Sequence, residues 1–285
     1  MTSFNFKKTL PALFLVINGC SSSALSPQQR ALTDSAIRAN TAYVEGYPHL
    51  SASHWQEVIR KSQNLDDQKN EALGHANLAT VYINTGQMEL AEKHLRQAQL
   101  LTDRSAHRGA YIRNALHLTT ALIHQKKLTE AGQTLKEAQQ IVEQAGDTVL
   151  EASLQNAFGL LWINENKTEN ACTAFEKAYQ LGRSASNIPI KAAALNNLGY
   201  CFMRTNNSQR SREAFQQALK LDKDREYLPG VGTNLLGLAA LAEKEAKINE
   251  AITLHQRALR VNKSLGAKHL IEFSNSAIAR LQDDI

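Results

Sequence analysis

Small and apolar positions return along this chain at a step of 40 residues. One column reads Ala98, Ala138, Ala178, Ala218 and Ala258, and a second reads Ala91, Ala131, Ala171, Ser211 and Ala251. A third runs Leu95, Leu135, Phe175 and Phe215 and breaks at His255; a fourth runs Leu101, Ile141, Leu181, Leu221 and Val261. Inside one period the apolar residues fall at helical spacing twice. Leu78, Ala79 and Tyr82 share a first face, and Leu90, Ala91, Leu95, Ala98 and Leu101 form a second stripe beyond Gly86. The Gly86 column continues through Gly46, Lys126, Asn166, Asn206 and Ala246. Gly and Asn are the residues that tolerate the left-handed backbone closing a helix. Each period therefore predicts helix, short turn, helix. A fixed period of this size means an all-α solenoid, whose units bury their apolar faces only by stacking.

The small columns mark close helix crossings. Ala79, Thr119, Gly159, Gly199 and Ala239 share one position of the first helix, and the Ala91 column shares one position of the second. Small residues are expected to face small ones there, with Tyr82, Trp162 and Phe202 filling the space around them. Pro189 and Pro229 stand where a first helix begins, a place that needs no partner for the missing N–H. The repeats divide as 27–66, 67–106, 107–146, 147–186, 187–226 and 227–266, followed by a capping helix in 267–285 that puts Ala279 in the small column. Leu236-Gly237 and Leu238-Ala239 both fit the pattern, which leaves the register of that repeat open by two residues.

The run Asn77-Leu78-Ala79, Tyr82, Gly86, Ala91, Leu95, Ala98 resembles the tetratricopeptide repeat. So does Asn197-Leu198-Gly199, Phe202, Ser211, Phe215, Ala218. The usual period in that family is about 34 residues, so the longer step is similar to the long-helix variants of kinesin light chains and of some bacterial peptide-sensing regulators. The resemblance implies a right-handed superhelix that binds proteins or extended peptides along its inner groove.

The first residues carry an address. Lys7 and Lys8 precede an apolar run from Thr9 to Ile17, too short to span a bilayer as a mature helix. Ile17-Asn18-Gly19-Cys20 then resembles the bacterial lipoprotein signal. That resemblance implies cleavage of 1–19, a lipid on Cys20, and a short tether over 20–26. Ser21 in place of Asp implies the outer membrane, with the chain on its periplasmic face. No cofactor is expected besides that covalent lipid.

Charge and cysteines narrow the classes further. The chain holds 32 basic and 27 acidic side chains, a net +5, with no long basic run, which gives nucleic-acid binding no support. Removal of Lys7 and Lys8 takes the basic count to 30, and 30 minus 27 is +3. Cys172 and Cys201 lie in adjacent repeats; a disulfide is open to them in an oxidising compartment, and two buried free thiols are the favoured state. No Cys-x-x-Cys, His-Glu-x-x-His or Gly-rich phosphate loop occurs. His117 and His124 stand two helical turns apart, too far to share a metal. Nothing here marks an enzyme or a metal site, and the paired acids Asp222 and Asp224 read as helix-end residues.

The groove columns are amide-rich. Asn77, Thr80, Asn84, Arg113, Thr120, His124, Asn156, Asn164, Asn196, Asn197, Tyr200 and Arg204 are the candidate binding residues. Asparagine offers both donors and an acceptor to a peptide backbone, and Arg113 and Arg204 add a preference for carboxylates. Asn196, Asn197 and Tyr200 are expected to be exposed, so that their removal leaves stability intact. The expected partners are envelope proteins or extended peptides, with the membrane reached only through the anchor. A scaffold of envelope machinery such as pilus or secretin assembly comes first. A regulator of peptidoglycan synthases or hydrolases and a peptide or small-ligand sensor are the alternatives.

Overall fold

The computed structural model describes residues 25–104 and 106–283; Cys20 and the segment before it lie outside them. Among the described residues every regular element is a helix. In chain order they are α1 (Pro27–Val44) and α2 (Pro48–Asn64), α3 (Gln68–Asn84) and α4 (Met88–Leu101), and α5 (Arg108–His124) and α6 (Leu128–Ala145). Then come α7 (Thr148–Asn164) and α8 (Thr168–Ser184), α9 (Ile188–Arg204) and α10 (Ser208–Asp224), α11 (Leu228–Lys244) and α12 (Ile248–Ser264), and α13 (Lys268–Asp283). From α3 to α13 the first helix of each pair starts 40 residues after the last, so α11 keeps the step without a slip.

Local chemistry sets these ends. Ser26 and Gln29 form a reciprocal capping box at α1. Asp67, Asp147, Asn187 and Asn207 accept from backbone N–H groups at the starts of α3, α7, α9 and α10. Prolines occupy the first turns of α1, α2, α9 and α11. The whole Gly86 column is left-handed: Gly46, Gly86, Lys126, Asn166, Asn206 and Ala246 have φ of 82°, 80°, 61°, 62°, 59° and 55°. A second left-handed column, not foreseen in the sequence, closes α2, α6, α8, α10 and α12 at Asp66, Gly146, Ser186, Glu226 and Gly266, whereas α4 ends in extended backbone at Thr102.

Consecutive helices pack antiparallel. The odd-numbered helices from α3 to α11 also touch the next odd-numbered helix, whereas the even-numbered ones do not touch each other in this way. The odd helices therefore line the concave side. The alanine columns at 91 and 98 are completely buried, as are Leu95, Leu135 and Phe215. Small does face small at the crossing, where Ser211 Oγ donates to the Gly199 carbonyl at 2.8 Å, and a large ring packs beside the pair. A Cβ added at Gly199 would lie 2.6 Å from the Phe215 ring, and Gly159 stands in the same relation to Phe175. Glycine thus appears in this column where the outer helix carries phenylalanine, and Ala79 or Thr119 where it carries leucine. The capping helix differs as well: Ala279 is exposed, because no second helix covers that face of α13. Asp222, expected at a solvated helix end, is only 3% exposed.

Cys172 and Cys201 are joined in a disulfide with a Cα–Cα distance of 5.7 Å, in place of the expected free thiols. The bond staples α8 to α9, two successive repeats whose helices are already packed side by side.

The superhelix also meets itself. Gly46, in the turn after α1, sits so close to the Ser264 carbonyl that any Cβ would overlap it. A Cβ on Gly266 would touch Pro48 at 3.2 Å, and one on Gly86 would lie 3.2 Å from His269 Nδ1. The superhelix thus brings the lower ends of α1 and α3 onto the α12–α13 turn, and its two ends touch along this rim.

Candidate peptide-binding channel

The seam contact draws the two ends of the concave groove together at one rim. The electrostatics of the groove follow from exclusion of water. Burial, with the Arg113 guanidinium beside it, holds His117 below the usual imidazole range. Burial also lowers Arg113 and pushes the Tyr200 phenol up to about 12. His124 is depressed by burial and then by Lys126. The middle of the concave side is therefore a mostly neutral hydrogen-bonding surface beside the Arg113 guanidinium, formed mainly by α3, α5, α7 and α9.

The candidate residues divide by what they already hold. Asn77 keeps a buried Nδ2 with no partner. Thr80 and Thr120 donate at 3.1 Å to Ala76 and Leu116 on their own helices, so their oxygens remain able to accept. Arg113 and His124 are exposed toward the channel and its lower rim. Asn164 donates to the Leu160 carbonyl at 3.0 Å and accepts from Lys126 Nζ at 3.3 Å.

The others tie one inner helix to its neighbour. Asn84 Nδ2 donates to Tyr43 Oη, Asn197 Nδ2 to Asn156 Oδ1 at 3.3 Å, and Arg204 to the Ile163 carbonyl at 3.5 Å, each reaching back 41 positions. Lys244, one repeat further on, donates to the Met203 carbonyl over the same step. These basic side chains thus meet carbonyls at the C-terminal ends of preceding helices, where the helix dipole favours a cation.

Asn196, Asn197 and Tyr200 are half-buried rather than exposed, which corrects the expectation for them. Asn196 Nδ2 donates to Asn234 Oδ1 at 2.7 Å, and Asn234 Nδ2 donates to Asp222 Oδ2 at 2.7 Å. Arg225 Nε closes the chain on Asp222 Oδ1 at 2.9 Å. Tyr200 meets Phe215 edge to face, with ring centroids 4.9 Å apart. Their combined removal would cut links between α9, α10 and α11, so it does not isolate a binding role.

Several channel residues escaped the sequence. Tyr43 lies across the seam from Tyr227; burial and then that neighbour raise its phenol far above the ordinary value. His269 is lowered by burial and by His124 from the other side of the ring. No periodic signal marks these, since a seam contact occurs once. Asn234 and Asp222 stand 12 residues apart in neighbouring helices, and only packing shows that they meet.

Residues 74–103 and 192–225 match the tetratricopeptide repeat family. The chain carries tetratricopeptide repeats. The two matches fall on α3–α4 and α9–α10, the pairs whose residues carried the resemblance. A comparison with curated proteins finds no match. Among solved structures, the chain is similar to a Rap protein complexed with Competence and Sporulation Factor, at 13% identity and a TM-score of 0.64 over 89% of this chain and 75% of that one. It is similar to the Rap conjugation gene regulator of plasmid pLS20 in complex with the Phr* peptide, at 11% identity and a TM-score of 0.65 over 90% and 76%. A signal transduction ATPase with a tetratricopeptide repeat sensor from Pyrococcus horikoshii aligns at 15% identity and a TM-score of 0.58, over 85% of this chain and 37% of that one. At such identities the likeness concerns the fold.

Proposed function

We propose that this chain binds short extended peptide segments in its central channel while tethered by a lipid on Cys20 to the periplasmic face of the outer membrane. The observation that carries the reading is the buried, unpaired Asn77 Nδ2 beside the Thr80 and Thr120 hydroxyls on the concave side. An extended chain laid along that side can reach such groups one after another. Asn77, Thr80, Arg113, His117 and Thr120 offer it donors and acceptors from two adjacent helices, the pattern a peptide backbone needs. Two structural neighbours were solved with a factor or a peptide bound, which favours the peptide over a large protein surface. The clients of such a tether are segments of proteins assembled at that membrane, with pilus or secretin machinery as one case. The Cys20 signal supports the address, and the Cys172–Cys201 disulfide fits an oxidising compartment.

Native mass spectrometry of the protein extracted from bacterial envelopes tests the channel. The wild type is expected to release peptides on denaturation, and His117→Trp, which fills the channel, to release none at an unchanged melting temperature. Empty protein in both forms, with whole partner proteins retained by both, would move binding to the convex face. For the address, Cys20→Ser is expected to shift the chain from the membrane to the soluble fraction.

A further inference from the structure

We propose that the seam itself holds a binding site for a small neutral carboxamide. Tyr43, Pro48 and Asn84 from the first two repeats face Pro229, Asn262 and Leu265 from the last around a cavity of about 90 Å³. That is roughly the room of three water molecules at about 30 Å³ each. The cavity exists only in the closed ring, because its walls come from both ends of the chain.

Asn262 gives the site its chemistry. The residue is 0% exposed, and neither its amide nitrogen nor its oxygen has a hydrogen-bond partner. Exchanging the two atoms changes nothing, since both are unpaired. Its Oδ1 occupies space that only a glycine leaves: a Cβ on Gly232 would stand 2.6 Å away. The terminal torsion of asparagine is soft, so the amide turns toward the cavity without leaving its rotamer well. A buried amide in this state lacks one acceptor and one donor at once. A carboxamide supplies both from one planar group, in the geometry that pairs amide with amide.

The remaining walls agree. No lining side chain is an acid, a lysine or an arginine. His269 faces Gly86 and His124 across the seam, with Glu272 on its own helix, and burial and then His124 lower its imidazole from the usual range. A charged ligand would leave water with no counter-charge to meet it. Pro48, Pro229 and Leu265 enclose a short aliphatic stem, while Tyr43 Oη and the Thr233 hydroxyl remain within the lining for a second polar contact. A free small amide and the side chain of a ligand asparagine or glutamine share this chemistry. The site does not require a peptide in the channel.

Thermal melting of the full-length protein with four probes tests it: propionamide, propionate, N-acetylglutamine methylamide and N-acetylglutamate methylamide. Propionamide is expected to raise the melting temperature with saturation in the millimolar range, and propionate to leave it unchanged. A matching response to the glutamine probe alone of the two peptides assigns the group to a side chain; its absence assigns the site to free small amides. Asn262→Leu, which keeps the shape and removes both unpaired atoms, is expected to abolish the response and to melt no lower than wild type. Equal shifts with propionamide and propionate, or a propionamide shift retained in Asn262→Leu, would overturn the proposal. So would a silent wild type together with a lower-melting Asn262→Leu, which would show that fixed waters complete the amide.

Discussion

At the scale of single residues, the helix crossings are solved pairwise. Gly199 admits the Phe215 ring, and Gly237 touches the same ring from α11, where a Cβ would lie 2.7 Å from its Cδ1. Gly199→Ala is expected to destabilise by about 1–3 kcal/mol through overpacking. Phe215→Leu in the same chain should return much of that loss, because the pair is coupled. A double-mutant cycle from denaturant unfolding checks it, and simple additivity would sink the idea. Buried imidazoles behave as a set in the same way. His75 and His94 share a 2.7 Å contact between their Nδ1 atoms. Burial, then His75 and Lys93, lower His94 from 6.5 to about 4. Its neutral form belongs to the fold, so the unfolded chain binds more protons below pH 6.5 and stability falls from there toward about pH 4. The expected loss is on the order of 2 kcal/mol, and His94→Gln should flatten the pH dependence of the melting temperature in that window.

Helices and their links form the next scale, and here the sequence was unevenly legible. Alternation of apolar columns at a constant step fixed the helix pairs, because every repeat restates the same packing problem. The left-handed turns followed from Gly86, Asn166 and Asn206, although Lys126 and Ala246 adopt them without any compositional hint. Asparagines gave no such signal. Asn77 with its open Nδ2 and Asn196 paired to Asn234 occupy adjacent columns, and residue type alone cannot separate them. The cysteines were undecidable for a similar reason: 29 residues of separation fix neither distance nor direction until α8 and α9 are packed. Their bond is expected to contribute about 3.6 kcal/mol for a loop of this length. In a solenoid the effect should be local. Hydrogen exchange after reduction, or in Cys172→Ser, should therefore rise in α8 and α9 and stay unchanged in α3 and α4. Uniform loosening of all repeats would contradict a nearest-neighbour fold.

Closure belongs to the whole molecule. Six stacked helix pairs bring the α1–α2 turn round onto the α12–α13 turn. Neither turn contains the information by itself; the contact joins residues more than two hundred positions apart in the chain. Gly46 is where it can be broken cleanly. Its φ of +82° disfavours a side chain, and a Cβ there would overlap the Ser264 carbonyl, which is backbone and cannot swing aside. Gly146 is the matched control: its φ is +64°, with nothing within 4 Å of an added Cβ. Both alanine variants should bear the left-handed strain of about 1–2 kcal/mol. Only Gly46→Ala should also open the seam, seen in solution scattering as a larger radius of gyration and a longer maximum dimension. If the two variants scatter alike, the ring does not depend on this contact.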